Sequence, residues 1–321
     1  MPSNDLRKRI EALNRRPLQN VPEPEQQDTP EIKALRRKLT KQAAMSVPTA
    51  PPRPRVSEAP VSVPHPVAPP SRHSSGPRDF GPAVTLEEVV SGIVTEAPAG
   101  PGYYLIEKQA CELEPNAPEV YSHFTRLTGH PDGEAVIRIA STCKTERIAP
   151  EEILFLDLET TGLGMTPVFL VGTMECVDGC FVFKQYFARD YSEEMSIVSA
   201  ISQRLRSVRM LVTFNGKTFD VPFLKNRATA TRVSLCHAHN HLDLLHEARR
   251  IYRGKLPDCK LQTLEQYVCG RTREDDIPGA EIPKAYHDFV RTGNANKIGP
   301  ILLHNLYDLL TMADLMRRMW V

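Results

Sequence analysis

Four acidic residues in three separate segments have the types and settings needed to grip divalent cations. Asp157 and Glu159 stand in Asp157-Leu158-Glu159-Thr160-Thr161-Gly162, at the end of the nearly continuous apolar run 153–158. Side chains two apart on a strand share a face, so the two carboxylates leave the strand side by side. Crowded carboxylates repel one another and lose hydration. Mg²⁺ or Mn²⁺, which favour oxygen ligands, relieve both costs. Asp220 closes Phe214-Asn215-Gly216-Lys217-Thr218-Phe219-Asp220, where Asn215-Gly216 turns the chain after a second apolar run. It falls in the first turn of a helix, where an acid can also serve the helix dipole for under ~1 kcal/mol. Asp308 ends His304-Asn305-Leu306-Tyr307-Asp308 inside the last helix. His304 and Asp308 are four apart and share a helix face. They suit a structural pair in which Asp fixes the ring tautomer, or equally a metal ligand beside a proton acceptor.

The elements that must position these groups follow from periodicity. Residues 153–158 read as a central strand covered on both faces. Residues 168–176 and 180–187 form an antiparallel hairpin about Asp178-Gly179. Ser192 is placed to cap a helix through about Arg206, with Glu193 and Glu194 in its first turn. Residues 210–214 give a fourth strand, 219–227 a short helix and 232–237 a fifth strand. Helices are expected over 243–252, 261–269, 284–291 and 297–320. The fold class is α/β, a mixed five-stranded sheet flanked by helices.

This domain occupies residues 150–321. Residues 83–149, with short apolar runs at 102–107 and 135–140, read as a small, mainly β lead-in. Residues 1–82 hold more than half of the 28 prolines. Such a segment buries too little apolar area to offset its ordering entropy, and a disordered tail is expected. Stretches 5–16 and 31–43 have helical charge patterning, and 48–82 reads as an extended linker. The net charge of +1 hides an asymmetry: residues 1–55 carry twelve Lys/Arg against six Asp/Glu, which leaves the remainder acidic. The basic tail either contacts a polyanion or a protein, or is a solubilising arm. Seven cysteines are an odd number in a chain too large to need disulfide staples, and most are expected to be buried thiols. With no signal-like or membrane-length apolar stretch, a soluble cytoplasmic protein with no membrane partner is expected.

The chain order Asp157/Glu159, Asp220, Asp308 is similar to that of the D-E-D-D superfamily of 3′–5′ exonucleases. More closely, residues 154–315, about half the chain, resemble the YprB-type ribonuclease-H-like family in FLDLETTG, FNGKTFDVPFL, HLDLLHEARR, LQTLEQ, DIPGAEIPKAYHDF and HNLYDLLTMADL. The resemblance implies a ribonuclease-H-like sheet and two Mg²⁺ or Mn²⁺ ions clamping the attacking and leaving oxygens of a phosphodiester. Asp157 would touch both ions, Glu159 and Asp308 would complete one shell, and Asp220 would support the second ion. His304 would take the proton of the nucleophilic water. Histidine-type members place that base five residues before the last Asp, and tyrosine-type members place a Tyr four before it. A His at the Tyr spacing is turned by about 100° around the helix, so it approaches from a different direction. The implied substrate is nucleic acid, a single strand or 3′ end, with Thr160, Asn215 and Lys217 as contacts.

Other residues invite a role. Cys236, His237, His239, His241 and Asp243 are dense enough for zinc, or are a polar strand edge leading into a helix. Lys217 and Lys260 suit phosphates as point charges, or are ordinary solvated lysines. Three function classes fit the sequence: a 3′–5′ exonuclease releasing nucleoside 5′-monophosphates, a structure-specific endonuclease of the same fold, and a non-catalytic binding module. Four acids without metal would repel phosphates, which counts against the third.

Overall fold

The structure, a computed structural model, describes residues 83–129, 148–236, 238, 240–274 and 276–320. The expected disordered tail, the apolar run 135–140 and His237 and His239 lie outside them. Among the described residues, seven strands form one sheet: β1 (Ile93–Thr95), β2 (Tyr103–Gln109), β3 (Ile153–Thr160), β4 (Val168–Val177), β5 (Cys180–Phe187), β6 (Met210–Thr213) and β7 (Asn240–Asp243). Their order is β1-β2-β5-β4-β3-β6-β7. Strands β3, β6 and β7 run parallel to their neighbours in that trio, and all other pairings are antiparallel. The fold is the expected mixed α/β arrangement with two strands more than the five read from the sequence. Both extra strands come from the lead-in, where Tyr104 to Gln109 pair with Phe187 to Val182 of β5.

The main helices are α1 (Ala117–Gly129), α2 (Glu194–Leu205), α3 (Asp220–Thr231), α4 (Leu244–Tyr252), α5 (Ile282–Thr292) and α6 (Ile298–Met319). Helix α1 makes the lead-in richer in helix than its broken apolar runs suggest. Ala117, Val120 and Phe124 recur at helical spacing and are fully buried, with Phe124 against Phe155 and Phe181. Ser192 does not cap α2: a 3-10 turn (Tyr191–Glu193) leads into the helix, capped by Asp190, which accepts from Ser192 N–H at 2.7 Å, and Glu193 at the α2 N-cap makes no side-chain cap bond. Residues 261–269 form one α-turn (Leu261–Leu264) and a π-turn (Glu265–Cys269). No described helix is long and apolar enough to cross a membrane. The described cysteines are free thiols, of which Cys176 alone is buried, fewer than their small apolar character suggests.

The fifth nuclease-domain strand is displaced from the expected 232–237 to Asn240–Asp243. The alternation of Val233 and Leu235 imitates a strand, but the backbone there bonds to helix α2. Ser202 Oγ donates to Ser234 O at 2.7 Å and accepts from Cys236 N–H at 2.8 Å. Strand β6 therefore takes its parallel partner farther on, Met210 opposite Asn240 and Thr213 opposite Asp243.

Strand β3 separates the two faces. Its even residues, Leu154, Leu156 and Leu158, join a core with Ile197, Ile201 and Leu205 of α2 and Leu224 of α3. Its odd residues, Ile153 and Phe155, join Leu306, Leu309 and Leu310 of α6 on the opposite face. The two-residue repeat then carries Asp157 and Glu159 onto the α6 face. Beyond Phe155, β3 has outrun β6, with which it pairs only over residues 153–155. The acidic end of the strand is thus flanked by β4 on one side and has no paired strand on the other.

Candidate active site

Asp157 is positioned by a row of residues across three strands. It faces Gly172 of β4, which in turn faces Gln185 of β5. The missing side chain at Gly172 makes a slot for Asn305 of α6; a Cβ there would lie 2.0 Å from Asn305 Oδ1. Asn305 Nδ2 donates to Asp157 Oδ2 at 2.8 Å, and Asn305 Oδ1 accepts from Gln185 Nε2 at 2.9 Å. Gln185 Nε2 also donates to Leu302 O at 2.9 Å, which ties the row to α6.

The other acids close around this point. Burial first, then Asp308, Glu159 and Asp220, push the Asp157 carboxyl well above its usual range, against the pull of Asn305. Burial likewise raises Glu159, helped by Asp308, Asp220 and Asp276 and opposed by Arg273. Asp220, the first residue of α3, is buried and pushed up to about 7 by desolvation. Backbone N–H groups of Asp220 and Leu158 oppose that rise, while Asp243 and Asp308 add to it. Four carboxylates from three distant segments therefore feel one another's charge. Asp157 and Asp308 line an open cleft of about 670 Å³. Asp220 instead borders a smaller cavity of about 190 Å³ with His241.

His304 is buried beside Asp308, its Nε2 3.7 Å from Asp308 Oδ2 and its Nδ1 2.8 Å from Asp276 Oδ1. Asp308 also accepts from Arg273 Nη2 at 2.5 Å. The Arg273 side chain is only 5% exposed and is held by Glu265 Oε2 at 2.7 Å, the His304 carbonyl at 3.3 Å and the Tyr307 ring. Glu265 also takes Arg271 at 3.1 Å. No local pattern in the sequence singles out Arg273, Asp276, Glu265 or Asn305, which come together with the acids only in the fold. Gly172, alone within an apolar strand, was the available sign that another group comes close there.

Of the expected substrate contacts, Asn215 is exposed and lines the cleft, in the left-handed conformation at φ 65°. Lys217 is exposed but does not line the cleft. Thr160 is buried and its Oγ donates to Gly162 O at 2.9 Å, so its hydroxyl shapes the turn after β3. Asp243, considered with the histidines for zinc, has another task. Its carboxylate accepts from Asn215 N–H (2.8 Å), Lys217 N–H (2.9 Å) and Leu245 N–H (3.1 Å). It thereby caps α4 and fastens the 214–219 loop to it. His241 bonds Thr213 Oγ at 2.8 Å and burial pulls its imidazole down to about 4.

Among the described residues, no three His, Cys, Asp or Glu side chains stand ready-spaced around a single ion. Asp308 is turned to Arg273 and Asp157 to Asn305. The donor set nevertheless suits a hard divalent cation. It is all oxygen, and burial together with neighbouring acids raises Asp157, Glu159 and Asp220 in a site they cannot leave.

The model of the RNase H superfamily matches residues 154–320. Over 182 residues, the chain is 30% identical to the uncharacterized protein YprB of Bacillus subtilis (strain 168). That match covers 55% of this chain and 44% of YprB, so the chain spans less than half of that relative's length. The chain is also similar to the family B DNA polymerase from the hyperthermophilic archaeon Pyrobaculum calidifontis, with a TM-score of 0.41 and 17% identity. That likeness covers 51% of this chain and 24% of the polymerase.

Proposed function

The chain belongs to the RNase H superfamily, and on that premise we propose that it is a divalent-metal-dependent 3′–5′ exonuclease releasing nucleoside 5′-monophosphates from a nucleic-acid strand. One observation supports this above all: the charges of Glu159, Asp220 and Asp308 bear on Asp157 at the end of the central strand, and Asp157 and Asp308 line an open cleft. Their carboxylates would hold Mg²⁺ or Mn²⁺, which supplies an activated water and stabilises the leaving 3′ oxygen. Asn305 keeps Asp157 in place on the sheet side. Asp276 accepts from His304 Nδ1, which leaves Nε2 as the basic nitrogen on the Asp308 side. His304 is the group to accept the proton of the attacking water. Arg273 neutralises part of the acidic charge and holds Asp308 close to His304.

The test is Asp157→Ala, assayed on 5′-labelled single-stranded DNA and RNA with Mg²⁺ or Mn²⁺ and with EDTA. Wild-type protein is expected to give a ladder of shortened products, abolished by EDTA and by the substitution. An equally active variant would refute the assignment, and internal cuts in a circular substrate would replace exonuclease with endonuclease.

A further inference from the structure

The cleft that ends at Asp157 and Asp308 has an opposite wall that the chemistry above does not use. Leu245, Arg249 and Arg253 recur every four residues along α4 and its C-cap, so they form one stripe, and all three line the cleft. Lys260 stands on the same wall, after the loop that follows α4. Arg249, Arg253 and Lys260 are exposed. Lys260 has only Asp258 at 3.6 Å, and among the described residues neither arginine has a carboxylate partner. This contrasts with Arg189, Arg204, Arg227, Arg271, Arg273 and Arg317, all of which are paired with acids. Two arginines without a carboxylate partner among the described residues, and a lysine whose one acid is Asp258 on the same lining, leave this wall of the cleft with cationic charge in excess. Phe214, Leu256 and Leu261 supply apolar lining between them.

We infer that this wall is the phosphate track for a single-stranded nucleic acid, with Arg249, Arg253 and Lys260 on successive phosphates and unstacked bases against Phe214 and Leu256. Cations along a groove beside an aromatic platform suit a single strand, whose bases are free to lie on apolar surface, and not a duplex, whose bases are paired. Asp243 gives the track its fixed relation to the acids, since one carboxylate caps α4 and holds the loop that leads to Asp220. The inference rests on the nuclease reading for the direction of the strand, but its binding chemistry can be read without hydrolysis.

The experiment is fluorescence anisotropy of a labelled oligothymidylate with the full chain in EDTA, over a series of salt concentrations. Each phosphate contact with a single strand contributes about 0.7 to the slope of log K against log salt. The triple variant R249A/R253A/K260A is expected to lower the slope by about 2 and the affinity at 0.1 M salt by about 100-fold. Arg249→Ala and Arg253→Ala alone should each lower affinity about 5-fold. Arg250→Ala, whose guanidinium is bonded to Glu247, should change neither quantity. Because the three residues are exposed, melting temperature should stay at the wild-type value. A triple variant with wild-type slope and affinity would overturn the track. Loss of slope in a protein that hydrolyses nothing with Mg²⁺ or Mn²⁺ would keep the track and remove the nuclease reading. An unchanged slope with hydrolysis intact would do the reverse.

Discussion

Gly172→Ala is the smallest change that should disable the acidic centre without touching an acid. The added methyl carbon would lie 2.0 Å from Asn305 Oδ1 and 2.6 Å from its Cγ and Nδ2. Ordinary contact needs about 3.5 Å, so Asn305 must retreat by roughly 1.5 Å. Its 2.8 Å bond to Asp157 would then lengthen past the ~3.2 Å limit of a useful hydrogen bond. Loss of a hydrogen bond to a charged group costs about 1.5–3 kcal/mol, and overpacking a filled site adds about 1–3 kcal/mol to the destabilisation. If the Asn305 bond is made fully in the transition state, kcat/KM should fall about 10- to 150-fold. The assay pairs exonuclease rates on a 5′-labelled strand with urea unfolding. Gly279→Ala is the control, because a Cβ there meets nothing within 4 Å. If Gly172→Ala is folded and within twofold of wild type in kcat/KM, Asn305 does not hold Asp157 for the reaction, and the three-strand row has no catalytic meaning.

Two further outcomes follow from the buried charges. In metal-free protein, Asp220 rises from an ordinary value of 3.8 to about 7, so the folded state holds a proton that the unfolded state has lost. Stability must fall as pH climbs through that window. Thermal melts in EDTA should show Asp220→Asn matching wild type below about pH 4 and exceeding it increasingly up to about pH 7; a gap independent of pH would refute this. Arg273→Met strands Asp308 and half of the Glu265 pairing inside the protein and should cost about 3–5 kcal/mol in urea unfolding. A cost within ~0.5 kcal/mol would show that Arg273 is not neutralising these acids.

Four of the five strands read from the sequence, and the elements on which the four acids stand, were legible because each follows a strong local pattern: an apolar run, a turn or an amphipathic helix. Arg273 and Asp276 carry no such pattern. They sit in an irregular loop and are defined by partners on α6, more than 25 residues away. The position of β7 was misread for a related reason. Val233 and Leu235 alternate like a strand, yet one hydroxyl, Ser202 Oγ, diverts the backbone bonds that a strand would need. Asp243 was visible as an acid in a histidine-rich stretch, but its three N–H partners come from two segments that meet only in the fold.

The pairing of β2 with β5 means that the sheet's outer margin does not belong to the stretch that carries the acids. Six residue pairs tie Tyr104–Gln109 to that margin. A protein trimmed to begin at residue 150 would bare the whole flank of β5, an open row of amide and carbonyl groups of the kind that recruits stray strands. Among the described residues the last rung is β1, three residues long, too short to template much. Residues 93–109 therefore act as a selvedge, a finished border that keeps the fabric behind it from binding to its neighbours.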